Sequence, residues 1–294
     1  MAHNPQLDIR IGTLVSGAKD PAGYIRQILP HGFESFSLTF SDRIEADLEK
    51  TAKEVRAVLG DRAVISSVGL YGNPLEREET ARDFARLLDN LHHFGCDVAV
   101  GFTGAVEGKP VPESIPRFKE VWTDLAKRAE DRGARIAFEN CDMGGWWHGP
   151  KLNIAHAPSA WEMMFDAVPS AALGLQWEPC HQMVSLIDPL PQLRRWVGKV
   201  HHVHGKDATI AWDVVRAYGI RGGKPYVWHR TPGFGDTNWS DVITILRQAG
   251  FRGSIDIEGW HDPVYKDELE MTGQVHGLRY LQRCRGGEYV PNPV

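Results

Sequence analysis

Four residues with metal-binding chemistry stand where successive apolar runs break: Glu139 in IAFEN, Glu178 in LQWEP, His204 in HVHGK and Glu258 in IDIEG. A lone strand-end glutamate is ordinarily an exposed loop carboxylate. Four such residues at consecutive strand ends ask for another explanation. Three carboxylates brought to one point repel and shift each other's pKa unless a cation stands among them. A divalent ion supplies that cation, and mixed oxygen and nitrogen ligation suits Mn²⁺ or a similar metal. The stretch HHVHGKD, residues 201–207, points the same way. Strand alternation puts His202 and His204 on one face and His201 and Val203 on the other. The run therefore ends by aiming two imidazoles, then Lys206, in one direction. The same parity pairs Glu139, Glu178, His204 and Glu258 with Ala137, Gln176, His202 and Asp256. Of these, His202 and Asp256 form either a layer beneath the ion or an ordinary buried hydrogen bond.

Convergence of four strand ends requires strands that run side by side in one direction. Candidate strands recur at Ile9–Val15, Phe33–Thr39, Ala63–Gly69, Asp97–Phe102, Arg135–Glu139, Leu173–Glu178, Lys199–His204 and Ser254–Glu258, with helical patterns between them. Asp20-Pro21 is an N-cap followed by proline at the first helical position. ESIPRFKEVWTDLAKRAEDRG places Phe118, Val121, Trp122 and Leu125 on one helical face, and Gly133 ends it. Ser240-Asp241 precedes the apolar period Val242, Ile245, Leu246, Ala249, which Gly250 stops. Eight strand-then-helix units without a linker predict a single domain over 1–294, a closed parallel (β/α)₈ TIM barrel with its chemistry at the C-terminal strand ends. A doubly wound sheet is the competitor, but GTLVSGAKD after the first strand does not fit the dinucleotide fingerprint. After Asp207 comes a connection far longer than the usual ~2–6 residues. Within it ATIAWDVVRAYG has helical spacing and ends on glycine; the segment reads as a lid or a subunit contact.

Bulk properties agree with a globular enzyme. The 294 residues are 42% hydrophobic and 24% charged, enough for a full core. A net charge of −5 and a pI near 6.2 argue against a nucleic-acid partner, which normally leaves a basic footprint. No apolar span is long enough for a bilayer, the start MAHNPQLDIRIG is not a signal peptide, and four cysteines are too few for a disulfide scaffold. A cytoplasmic protein without a membrane partner is expected.

The motifs FEN, WEPCH, HVHGKD, PGFGDTNW and IDIEGWHDP, in this order along nearly the whole chain, resemble the sugar isomerase/epimerase superfamily of xylose-isomerase-like barrels. The resemblance implies a catalytic divalent metal, typically Mn²⁺ with Co²⁺ or Mg²⁺ as alternatives, held by Glu139, Glu178, His204 and Glu258. It further implies that Glu139 and Glu258 are the acid/base pair and that His181 contacts a substrate oxygen. Three positions depart from the ketose 3-epimerase pattern. Glu178 replaces an Asp, as in the xylose isomerases themselves; Gly145 stands where a second Glu is expected; His229 stands where an Arg is expected. The implied metal site is retained, while the substrate shell differs from that of a standard ketose epimerase.

Chemically, such an ion polarises a carbonyl and stabilises the enediolate left when the α-proton departs. A carboxylate on each side of that carbon takes the proton from one face and returns it on the other. The expected function is a metal-dependent isomerase or epimerase acting on a sugar or keto-sugar. The alternative is a lyase that cleaves a 3-keto-glycoside or anhydro-sugar by β-elimination, with His181 or His229 as the acid. Trp146 and Trp147 in GGWWHG are candidates to stack on a sugar ring, with His148 a weaker site residue; Trp122 and Trp161 read as core. Cys141 and Cys180 read as soft zinc ligands or, more commonly, as small buried thiols. A homo-oligomer is expected. Abasic-site endonucleases share this barrel, but their three-zinc cluster needs extra histidines and an Asp-x-His motif. Here Val227 precedes His229, and AVISSVG and DVAVGF lack histidine. A non-catalytic sugar-binding barrel leaves the four-ligand set unexplained.

Overall fold

The computed structural model describes residues 4–293. Its main elements, in chain order, are β1 (Ile9–Ser16), α1 (Pro21–Ile28), β2 (Ser35–Ser41), α2 (Leu48–Leu59), β3 (Val64–Tyr71), α3 (Glu78–Phe94), β4 (Val98–Gly101), α4 (Val111–Asp131), β5 (Arg135–Glu139), α5 (Pro158–Ala167), β6 (Leu173–Trp177), α6 (Pro179–Val184), α7 (Pro189–Trp196), β7 (Val200–Gly205), β8 (Asp207–Ile210), α8 (Trp212–Tyr218), β9 (Val227–Arg230), α9 (Trp239–Gln248), β10 (Gly253–Ile257) and α10 (Glu270–Cys284). Eight strands close into a barrel in the order β1-β10-β7-β6-β5-β4-β3-β2, and the paired neighbours run parallel. This is the expected (β/α)₈ TIM barrel. The antiparallel pair β8-β9 forms a separate small sheet.

Chain contacts group the described residues into two compact units, one of residues 14–177 and 199–203, the other of residues 4–13, 178–198 and 204–293. In the first unit, Phe84, Trp122 and Phe138 are fully buried. They meet edge to face at centroid distances of 5.0 and 4.6 Å, which joins α3 and α4 to β5. Trp122 also donates its indole N–H to the Thr103 carbonyl at 2.8 Å, so its one polar atom is satisfied inside the core. In the second unit, Trp239, Val242 and Leu246 of α9 and Leu278 and Leu281 of α10 are buried.

Local signals set several boundaries. Asp20 accepts from the Gly23 amide at 2.9 Å and starts α1 at Pro21. Strand β2 begins at Ser35 rather than Phe33. Left-handed Gly32 closes a preceding turn, and Phe33 buries its ring against Phe36 without joining the ladder. Helix α9 begins one residue before the expected Ser240, because Asn238 accepts from the Asp241 amide at 3.2 Å. The segment read as one helix from Ala208 divides: Asp207–Ile210 pairs with Val227–Arg230, and only Trp212–Tyr218 is helical. Among the described residues, no helix is long and apolar enough to cross a membrane.

Candidate active site

Glu178 stands one residue beyond β6 with an extended backbone, and Pro179 starts α6 immediately after it. That early start turns the residue three positions on back toward the carboxylate. His181 Nε2 lies 3.4 Å from Glu178 Oε1, while the Cys180 thiol donates to Glu178 Oε2 at 3.3 Å. Burial, then the Glu178 charge, push the Cys180 thiol well above its usual range, so Cys180 is a neutral donor here.

Strand β7 delivers His204, and Lys206 follows on the same parity; they are 1% and 2% exposed. His204 Nδ1 is 3.3 Å from Glu258 Oε2. Lys206 Nζ donates to Glu258 Oε1 at 2.8 Å and reaches His181 Nε2 at 3.4 Å. Glu258 follows β10 directly. A Cβ on the next residue, Gly259, would stand 2.6 Å from Gln274 Nε2, so a larger residue there would displace that side-chain amide. His261 Nδ1 lies 3.3 Å from Glu258 Oε1. Burial alone would raise the Glu258 pKa; Lys206 and His204 outweigh it and hold the carboxyl well below its usual range.

His229 lies on β9 opposite Ala208, and its ring meets that of His181 edge to face at 4.8 Å. Burial, then Lys206, hold His181 well below the usual histidine range and bring His229 down to about 4, so both imidazoles are neutral at neutral pH. The segment after Glu258 is tied to the β8-β9 pair through Asp262, which accepts from Arg230 Nε at 2.9 Å and the Thr231 amide at 3.0 Å. The residue after Lys206 is anchored too. Asp207 is fully buried and accepts from the Ala208 amide (2.7 Å), the Thr237 amide (3.1 Å) and the Trp239 indole (2.9 Å).

In the other unit, Glu139 is the last residue of β5, in register with Gln176 and 5% exposed. Asn153, fully buried, donates to the carbonyls of Glu139 at 2.8 Å and Cys141 at 2.7 Å. Its Oδ1 accepts from Thr103, and together these bonds fix the backbone behind the carboxylate. His202 lies beneath, with Nδ1 3.0 Å from Gln176 Nε2 and Nε2 3.4 Å from Ser67 Oγ; Tyr71 donates to Gln176 at 3.0 Å. Gln176 and Ser67 thus each meet one ring nitrogen of His202. Trp146, 59% exposed, meets His148 edge-on at 4.9 Å, and the Trp147 carbonyl accepts from the Val111 amide at 2.9 Å. The GGWWHG turn is therefore fastened to the start of α4.

The structure brings Glu178, His181, His204, His229 and Glu258 together. It adds Lys206, which the sequence placed on the correct face without a role, and His261, which was not singled out. The signal for His261 was its spacing of three from Glu258. Two glutamates and a histidine buried this closely form a candidate divalent metal site.

A sequence profile of the xylose isomerase-like TIM barrel matches residues 25–284. The inosose dehydratase of Clostridium tetani is 27% identical over 220 residues, 70% of each chain. That of Bacillus thuringiensis (strain Al Hakam) is 26% identical over 225 residues, 69% of this chain and 70% of the relative. Among solved structures, a xylose isomerase domain protein from Planctomyces limnophilus superposes with a TM-score of 0.69 at 17% identity, covering 94% of this chain and 96% of its own. The 3-keto-D-glucoside 4-epimerase of E. coli gives 0.70 at 14%, covering 94% and 100%. At such identities these structures establish the fold. With the profile spanning most of its length, the chain belongs to the xylose isomerase-like TIM barrel family.

Proposed function

We propose that the protein is a divalent-metal-dependent enzyme that removes the proton beside the carbonyl of a keto-sugar or cyclitol ketone and then expels the β-oxygen substituent. One observation carries this reading: Glu178, His204 and Glu258 are all buried, and each offers a ligand atom within 4.8 Å of the others; Glu139 is the fourth ligand we propose. Three carboxylates against the Lys206 ammonium leave two negative charges, which one divalent cation balances. The donor set therefore fits Mn²⁺, Co²⁺ or Mg²⁺. When bound, the ion supplies Lewis-acid polarisation of the carbonyl and neutralises the charge that develops on its oxygen.

The chain's own residues do the rest. Glu139, the last residue of β5, is the base that accepts the α-proton. Glu258 is held charged by Lys206 at 2.8 Å and His204 at 3.3 Å, so its work is ligation and orientation of Lys206. Lys206 and neutral His181, 3.4 Å apart, supply the proton that the departing oxygen requires. This asymmetry favours elimination. A two-base epimerase needs both carboxylates to exchange protons with the same carbon, and the Lys206 ammonium at 2.8 Å holds Glu258 in its charged form as a ligand. The dehydratase names of the curated relatives support the same choice. The second reading, an isomerase or epimerase, rests on Glu139 and Glu258 coming from non-adjacent strands that can flank one carbon.

The test incubates Mn²⁺-loaded protein in D₂O with an inosose and with a methyl 3-keto-glucoside. Elimination gives deuterium exchange together with an unsaturated product or freed methanol. A stereoisomer with no unsaturation selects the second reading. Exchange that persists undiminished in Glu139→Gln overturns the assignment of the base.

A further inference from the structure

Beyond the proton-transfer groups, a succession of rings leads outward from the buried cluster. His181, 5% exposed, meets His229 at 4.8 Å; His229 meets His261 at 6.0 Å; His261 meets Trp260 at 5.7 Å. Exposure rises along the succession: the His261 side chain is 37% exposed, and Trp260 is 47% exposed. Trp260 also has an unusual backbone. Trp260 holds φ at +51°, in the left-handed region that a bulky aromatic residue seldom adopts and that glycine would occupy at no cost. Its backbone is held there between Glu258, fixed by Lys206, and Asp262, which accepts from the Val264 and Tyr265 amides at 2.8 and 3.0 Å and from Arg230. Strained non-glycine residues cluster at active sites and ligand clamps.

From this geometry we infer that the substrate carries a second ring, as a glycoside does, and that this ring lies against His261 and Trp260 while the first reacts at the buried cluster. The inference rests on the proposed function for the position of the reacting ring. An indole face and an imidazole offer apolar and polarisable contact to the C–H face of a sugar or to an aryl group. The β-substituent expelled in the elimination would then be the group that Trp260 holds.

The experiment compares 3-keto-D-glucose with phenyl 3-keto-β-D-glucoside by calorimetric titration of the Mn²⁺-loaded protein. The glycoside should bind about tenfold more tightly. Trp260→Ala should abolish most of that preference and Trp260→Phe should restore part of it. Trp260→Gly, which also relieves the backbone, should lose as much as Trp260→Ala. A preference that survives Trp260→Ala overturns the inference, as does a variant that changes only the sedimentation of the protein, which would mark a contact between copies. If the glucose derivative binds and the glycoside binds no better, the second-ring subsite falls and the proposed function stands. If neither sugar binds the wild-type protein, both fall together.

Discussion

Asp207 offers a perturbation whose size follows from its surroundings. Burial pushes its carboxyl from 3.8 up to about 6, although Thr237, Trp239 and the Ala208 amide donate to it and favour the charged form. Between those two values the folded protein keeps a proton that the unfolded chain has released. Stability contributed by this group is therefore present below about pH 4, falls as pH rises toward about 6 and is flat beyond. At about 1.4 kcal/mol per pKa unit, a shift of roughly two units corresponds to about 3 kcal/mol. Asp207→Asn removes the titration. It keeps an oxygen for the two amides but turns an amide N–H₂ toward the Trp239 indole, at a loss of about 1–3 kcal/mol. The difference in unfolding free energy between wild type and variant should thus shift by about 3 kcal/mol between pH 4 and pH 7, in favour of the variant at the higher pH. Urea titrations in EDTA, at several pH values across this window, measure that difference while other carboxylates cancel between the two proteins. Parallel stability curves, offset by a constant across the window, would refute the raised pKa and the desolvation argument behind it.

His204→Ala removes the one nitrogen donor of the proposed ligand set. Metal affinity by isothermal titration should fall further than the ~10–100-fold expected for His202→Ala, whose partners are Gln176 and Ser67. The reverse order would show that the facing residues of β7 are misassigned. Lys206→Met should slow product release by about 10²–10⁴-fold while solvent deuterium still enters the substrate, because leaving-oxygen protonation follows proton removal; equal loss of both places Lys206 in the first step. Trp122→Ala should lower stability in urea by about 3–5 kcal/mol, the cost of emptying an indole-sized site among Phe84 and Phe138.

The parts of the site that depend on strand ends were legible because a break in an apolar run is a local event. Strand β5 has the expected limits Arg135–Glu139, and Glu178 and Glu258 directly follow β6 and β10. Period-two parity also put Lys206 with His204. What parity cannot supply is distance: Lys206 touches Glu258, 52 positions away, and His202 meets Gln176 of the neighbouring strand. The β8-β9 pair was hidden for a related reason. Its register joins Ile210 to Val227 across an intervening helix, and an antiparallel pairing of four-residue strands leaves no periodicity that outweighs helical spacing in ATIAWDVVRAYG. Ligand roles and metal identity are chemical properties on which residue order bears only through these contacts.

The hydrogen bonds of Asn153 have a consequence for how this loop can change. By holding the carbonyls of Glu139 and Cys141 on one side and Thr103 on the other, one buried amide clamps the base of the connection from β5 to α5. In the turn beyond the clamp the side chains of Trp146 and His148 are exposed and can change while the backbone stays anchored by Asn153 and by the Trp147 carbonyl. Substitutions at the exposed positions of residues 142–150 should therefore change the surface of the barrel while Asn153 keeps the carboxylate-bearing strand end in place.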